Sequence, residues 1–247
     1  MSEEVKDSEM ISDTEEDVTE VGEIDEIEES FEDDEEDTPK KEKKKRSKVS
    51  IAIEIAIYAL LIFVCVYIVP KYVMQRTSVS GESMEDTLHD KESLLINKFS
   101  YHFHDPERYD IIVFYPKGKE VDDSEFYIKR VYGLPGETIQ IKHNDIYINN
   151  QKIEDKYAKN AIDDPGLAAK PYTLKEDEFF VLGDNREVSL DSRKIPTEDI
   201  DKYKDMYSEE ELEMMSEDAA PGPVKRSYIE GKAFFRIWPL GKFGFVE

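Results

Sequence analysis

Ser83 is the first residue of this 247-residue chain whose setting points to chemistry. It lies in Val79-Ser80-Gly81-Glu82-Ser83-Met84-Glu85-Asp86-Thr87-Leu88, which begins ten residues after a hydrophobic run ending at Val69. A serine hydroxyl is a poor nucleophile at neutral pH and attacks a carbonyl only where a neighbouring base takes its proton. The candidate base is Lys129, in Phe126-Tyr127-Ile128-Lys129-Arg130-Val131-Tyr132. Strand alternation puts Phe126, Ile128, Arg130 and Tyr132 on one face and Tyr127, Lys129 and Val131 on the other. A strand lysine is by default a solvated one, but apolar neighbours strip its hydration, disfavour the charged form and lower its pKa. With an ordinary pKa of about 10.4, only about 0.04% of a lysine amine is free at pH 7, so a lysine base requires a site that lowers it by several units.

The elements that must position these two residues are mostly strands. Residues 72–79 read as extended, and 93–99, 110–115 and 126–132 as short apolar or β-branched strands closed by turn residues. Residues 138–142 and 145–149 alternate around His143-Asn144, a hairpin. A loop-rich stretch runs to residue 178. Phe179-Phe180-Val181-Leu182 then forms a buried strand that runs into Gly183-Asp184-Asn185-Arg186-Glu187-Val188-Ser189-Leu190-Asp191-Ser192-Arg193. So dense a polar set at a strand end suits a site scaffold better than a core. Residues 196–221 read as a surface insertion, with Ser208-Glu209-Glu210-Glu211 as the capping box of a helix. Residues 231–239 close the domain as a strand.

Ahead of the domain, Val49 to Val69 is a 21-residue apolar run with Glu54 as its only charge. As a helix it is about 31 Å long, enough for one crossing of a hydrocarbon core of about 30 Å, and Pro70 is expected to end it. Residues 40–48 carry seven Lys and Arg in nine positions, whereas only Lys71 and Arg76 separate the span from the Ser83 motif. This bias keeps the amino terminus in the cytoplasm and residues 70–247 outside, as a single-pass protein of the cell membrane with an uncleaved anchor. Residues 1–39 hold 20 Asp and Glu against one Lys, so −19 of the net −25 charge belongs to a tail expected to be disordered.

Several chemistries lack their residues. Cys65 stands alone inside the apolar run, so no intrachain disulfide forms. Of the four histidines, His89, His102, His104 and His143, the run His102-Phe103-His104-Asp105 offers a metal fragment, but no HExxH or paired CxxC stands beside it and it reads as a turn or surface position. The glycines make no GxGxxG or GxxxxGK pattern, so no cofactor is expected. The basic cluster is explained by topology and anionic lipid, with no call for nucleic acid.

Taken together, Gly81-Glu82-Ser83-Met84, then Tyr109 to Phe114, then Lys129-Arg130-Val131-Tyr132-Gly133-Leu134-Pro135-Gly136-Glu137, then Gly183 to Arg193, all behind a membrane anchor, resemble the bacterial type I signal peptidases in their single-span branch. Gly231-Lys232-Ala233 and Arg236-Ile237-Trp238-Pro239 resemble that family's carboxy-terminal block. The resemblance implies a mainly β fold, a signal-peptidase-like antiparallel β domain anchored by one transmembrane helix. It implies Ser83 as nucleophile and Lys129 as general base, with Ser189 orienting the lysine amine. Asp184, Arg186, Asp191 and Arg193 are implied to brace the site, Asp191 and Arg193 as an ion pair. The oxyanion would be held by the Ser83 backbone N–H and a second donor from the Ser80-Gly81 region, where this branch has Gly81 in place of a hydroxyl. Its substrates would be secreted precursors with a small-x-small cleavage site, paired as an extra strand beside the membrane lipid, with a secretion translocon as candidate partner.

Two departures from the family pattern stand out. Glu85-Asp86-Thr87-Leu88 replaces the usual x-Pro-Thr-Leu, and Asp86 is expected to face solvent, since a carboxylate turned to Lys129 would raise its pKa. The second is the 196–221 segment. Three other readings fit less well. Self-cleaving Ser/Lys repressor-type proteases lack a span, and a non-catalytic signal-peptidase-like factor for surface fibre assembly would be expected to lack part of the dyad. A membrane receptor has only the acidic tail in its favour.

Overall fold

A computed structural model describes residues 47–116, 118 and 126–246. The acidic tail and most of the basic segment at 40–48 lie outside the described residues. The first element, Lys48–Tyr72 (α1), is a single 25-residue helix, long and apolar enough to cross a membrane. It starts at Ser47, whose side chain accepts the Val49 N–H. Pro70 does not end it. A turn of wider π-helix at Val64–Ile68 precedes the proline, and the Val69 N–H bonds back to Val64 O. A proline removes an N–H and crowds the carbonyl four residues back. The helix widens where that clash would fall and then runs three residues past the expected stop.

Among the described residues, twelve strands follow. They are β1 (Met74–Ser78), β2 (Ser93–Asn97), β3 (Ile111–Phe114), β4 (Tyr127–Gly133), β5 (Thr138–Lys142), β6 (Asp145–Ile148), β7 (Gln151–Lys152), β8 (Tyr172–Thr173), β9 (Glu178–Leu182), β10 (Val224–Lys225), β11 (Ile229–Trp238) and β12 (Gly244–Phe245). All pair antiparallel. The larger sheet runs β1-β2-β11-β3-β4-β9-β10, with β12 on β11, and the smaller runs β7-β6-β5-β8.

The larger sheet is covered on both faces, which is why β3 reads as a continuous apolar run instead of an alternating one. Ile111 and Val113 join Met84, Leu88, Leu94 and Ile128 on one side. Ile112 and Phe114 join Val131, Phe179 and Val181 on the other. In the β5–β6 hairpin, His143 and Asn144 both take positive φ, 50° and 70°, the geometry that matches strand twist in a two-residue turn.

The 196–221 segment corrects the expectation of a surface insertion. Its helix, Glu209–Met215 (α2), is capped at Ser208 by the expected box. However, Tyr203, Tyr207, Leu212 and Met215 are buried in the same cluster as Tyr132, Ile139, Leu167 and Leu182. The hydroxyl of Tyr207 donates to Leu167 O at 2.5 Å. The segment is the wall that closes the core of the smaller sheet.

Candidate active site

Three elements bring the site together: the loop after β1, the strand β4, and the polar run after β9. Antiparallel pairing of β4 with β9, Arg130 opposite Leu182, places the Gly183–Arg193 run beside the lysine. The loop carrying Ser83 is then stitched to that run. Asn185 N donates to Ser83 O at 3.0 Å, and Asn185 Nδ2 donates to Glu82 O at 3.2 Å.

Across this junction Lys129 Nζ lies 2.7 Å from Ser83 Oγ, with Ile128 O as its other partner at 3.1 Å. Lys129 is 5% exposed. Burial pushes its pKa down to about 8; the charges of Asp191 and Asp184 pull against that, while Arg193 adds to it. At a pKa of about 8, about 9% of the amine is free at pH 7, some hundreds of times more than for a solvated lysine.

The bracing residues form three ion pairs. Asp191 accepts from Arg193 Nε at 2.8 Å and Nη2 at 3.0 Å, and also from Gly183 N at 3.1 Å, fixing the turn after β9. Arg186 donates to Gly183 O at 2.9 Å and Tyr132 OH at 2.9 Å, and grips Asp155 with two further bonds. Asp184 does not face Arg186 or Arg193. Both of its oxygens are taken by Arg130, with Thr87 Oγ1 donating to it at 2.6 Å. Arg130 and Asp184 are both fully enclosed.

Arg130, Thr87, Asn185 and Asp155 are the residues that sequence reasoning missed. Arg130 lies in the Lys129-to-Glu137 block, and the signal that could have found it is an arginine sharing a strand face with Ile128 and Tyr132. Asp155 sits in the loop-rich stretch, where nothing in the local sequence marks it.

Ser189 differs from expectation. Its hydroxyl is enclosed and makes no hydrogen bond, while Ile128 O takes the place foreseen for it at the amine. It packs against Gly183, where an added Cβ would overlap it and come within 2.5 Å of Ser83 O. Asp86 faces solvent with a side chain 79% exposed, 3.8 Å from Lys159. Gly81 holds φ at +87° and donates its N–H to Asp90 Oδ1 at 3.1 Å, so that donor is already engaged.

An open groove of about 800 Å³ runs past Ser83 and Lys129, lined by residues 77–82 and 126–128 and by Val188 and Leu190. The first two stretches offer free strand edges. β1 ends the sheet, and β4 pairs with β9 only from Arg130 onward. No described residue of the 196–221 segment lines the groove. Among the described residues, no three His, Cys, Asp or Glu side chains are grouped to hold a metal.

A buried amine against a serine in an open, strand-edged groove is the equipment of a serine hydrolase acting on extended peptide. Comparison with known proteins narrows this. Residues 52–238 match the family described as signal peptidase, peptidase S26, and the chain belongs to that family. It is 34% identical over 177 residues to signal peptidase I of Leptolyngbya laminosa, spanning 70% of this chain and 73% of the relative. It is 35% identical over 154 residues to signal peptidase I of Bacillus amyloliquefaciens, spanning 60% and 80%. With signal peptidase IB of Staphylococcus aureus it shares 28% over 196 residues, spanning 73% and 86%. A solved signal peptidase I from Enterococcus faecalis aligns at 25% identity with a TM-score of 0.33, covering 52% of this chain and 97% of that one. The chain is thus a serine peptidase of the signal peptidase I type, and its reaction is the removal of signal peptides.

Proposed function

We propose that this reaction runs through Ser83 and Lys129 on a precursor held at the outer membrane surface. The observation that carries the reading is the 2.7 Å approach of a desolvated amine to a serine hydroxyl. The free amine takes the hydroxyl proton as Ser83 Oγ bonds to the scissile carbonyl carbon. The protonated amine then gives that proton to the leaving amine nitrogen as the C–N bond breaks, which leaves an acyl ester on Ser83. Water, deprotonated by the same lysine, hydrolyses the ester and restores the hydroxyl.

The tetrahedral oxygen is stabilised by the Ser83 backbone N–H. Since the Gly81 N–H is held by Asp90, the second donor falls to Ser80, which lines the groove. The precursor adds as a strand between the free edges of β1 and β4, and its small side chains fill shallow hollows there. Arg130, Asp184, Asp191, Arg193, Arg186 and Gly81 act as positioning residues. Ser189 packs beside Gly183, in the run that carries Asn185. The span and the charge asymmetry around it support an anchor with its amino terminus in the cytoplasm and residues 70–247 outside.

The test is cleavage of a small-x-small precursor peptide by the detergent-solubilised full chain. Ser83→Ala and Lys129→Ala should each abolish cleavage at the single bond while the circular dichroism of the fold is kept. Retained cleavage by the lysine variant would remove the proposed base.

A further inference from the structure

A second cavity, of about 350 Å³, opens where the last turn of α1 meets the domain, and its walls include Lys71, Tyr72, Lys98, His102, Arg226 and Glu230. Sequence reading saw only Lys71 and Arg76 near this end of the span; the fold brings Lys98 and Arg226 to Lys71 from positions far along the chain. We propose that this cavity binds the phosphate of an anionic phospholipid headgroup. The proposal rests on the membrane reading above.

Charge is the first support. Lys98 is paired with Glu230. Arg226 Nε is paired with Asp105 at 2.7 Å, and its Nη2 donates to Tyr101 O and His104 O. Among the described residues, Lys71 has only a ring contact, 5.1 Å from the centroid of Tyr72. Three cations therefore stand against two carboxylates, an excess of one positive charge before His102 is counted. A phosphodiester carries one negative charge and accepts from lysine and arginine together. The partial negative charge at the helix end opposes an anion there, and Lys71 in the last turn offsets it.

Depth is the second. At 1.5 Å per residue the 25-residue helix is about 37 Å long, beyond the hydrocarbon core of about 30 Å, so its final turn falls at headgroup level. Next in sequence to Lys98 and His102, the rings of Phe99 and Phe103 are exposed, 52% and 68%, and stack edgewise at 5.1 Å. Such rings suit the boundary between headgroups and acyl chains.

The experiment offers phosphatidylglycerol and phosphatidylcholine in equal amounts to the full chain in neutral detergent and counts retained lipids by native mass spectrometry. The wild type should retain phosphatidylglycerol preferentially. Lys71→Gln should lose that preference by about fivefold or more, Lys71→Arg should restore it, and Lys225→Gln, which changes a neighbouring exposed cation outside the cavity, should leave it intact. Unchanged peptide cleavage by Lys71→Gln in detergent verifies its fold. Equal retention of the two lipids by the wild type, or an equal loss in Lys225→Gln, would overturn the site in favour of general surface attraction. Inorganic phosphate at 10 mM should not displace the lipid, and displacement would make this a free-phosphate site and overturn the lipid assignment. Flotation with phosphatidylcholine vesicles separates the two readings. A chain that floats without lipid preference sinks only the cavity, and one that does not float sinks the anchor and the cavity with it.

Discussion

The guanidinium of Arg130 holds the carboxylate of Asp184 by two parallel hydrogen bonds, Nε to Oδ1 at 2.9 Å and Nη2 to Oδ2 at 2.8 Å, and neither side chain reaches solvent. The pair ties the residue after the proposed base to the residue before Asn185, whose backbone N–H fixes Ser83 O. Removing one partner strands a buried charge. Asp184→Ala should therefore cost about 3–5 kcal/mol of stability, read as a lower melting temperature of the detergent-solubilised full chain. Arg130→Met with Asp184→Leu should recover much of that loss, because no charge is left unpaired, yet cleavage should stay low since Thr87 and Tyr109 O lose their partners. Full activity in the double variant would show that the pair has no positioning role.

Lysine 129 sits in the fold at a cost. Its pKa is lowered from the ordinary 10.5 to about 8 by burial. Between those values the unfolded chain holds a proton that the folded chain has released, so this residue makes stability rise with pH across that window. Below pH 8 the folded protein bears the whole penalty, about 3 kcal/mol. Lys129→Met should therefore raise the melting temperature at pH 7 while abolishing cleavage, and its advantage should shrink to under about 1 kcal/mol by pH 10. A variant less stable than the wild type at pH 7 would mean that the amine is not desolvated.

Two glycines near Ser83 should respond differently to alanine. At Gly81 a Cβ meets nothing within 4 Å, so the cost is the positive φ alone, about 1–2 kcal/mol. At Gly183 a Cβ would press on Ser83 O, a backbone atom that cannot turn aside. Gly183→Ala should shift the nucleophile and lower kcat by on the order of 10²-fold with KM changed less. Steady-state kinetics of both variants checks this, and a Gly183 variant as active as the Gly81 variant would contradict it.

What the sequence made legible follows physical range. β5, β6 and their two-residue turn, and the Ser208 cap, were read nearly to the residue because alternation and capping are local signals. Pro70 misled because a one-residue rule ignores the wider turn that lets a helix pass a proline. The 196–221 segment misled because its acidic character hid Tyr203, Tyr207, Leu212 and Met215, whose cluster reaches back along the chain as far as Tyr132. In the site, the Asp191–Arg193 pair was expected from the family resemblance, whereas Arg130–Asp184 and Arg186–Asp155 join different elements. Without the sheet register, the arginine that each aspartate meets is not given.

The central claim is that an uncharged Lys129 activates Ser83, and the pH profile of kcat/KM for a small-x-small peptide tests it most directly. With only the free amine competent, log kcat/KM should rise with unit slope below a pKa of about 8 and flatten above it. Lys129→Ala should lose that limb together with the activity. An acid limb near pH 4 or near 6.5, or a limb that persists in the lysine variant, would assign the base to a carboxylate or a histidine and contradict the account.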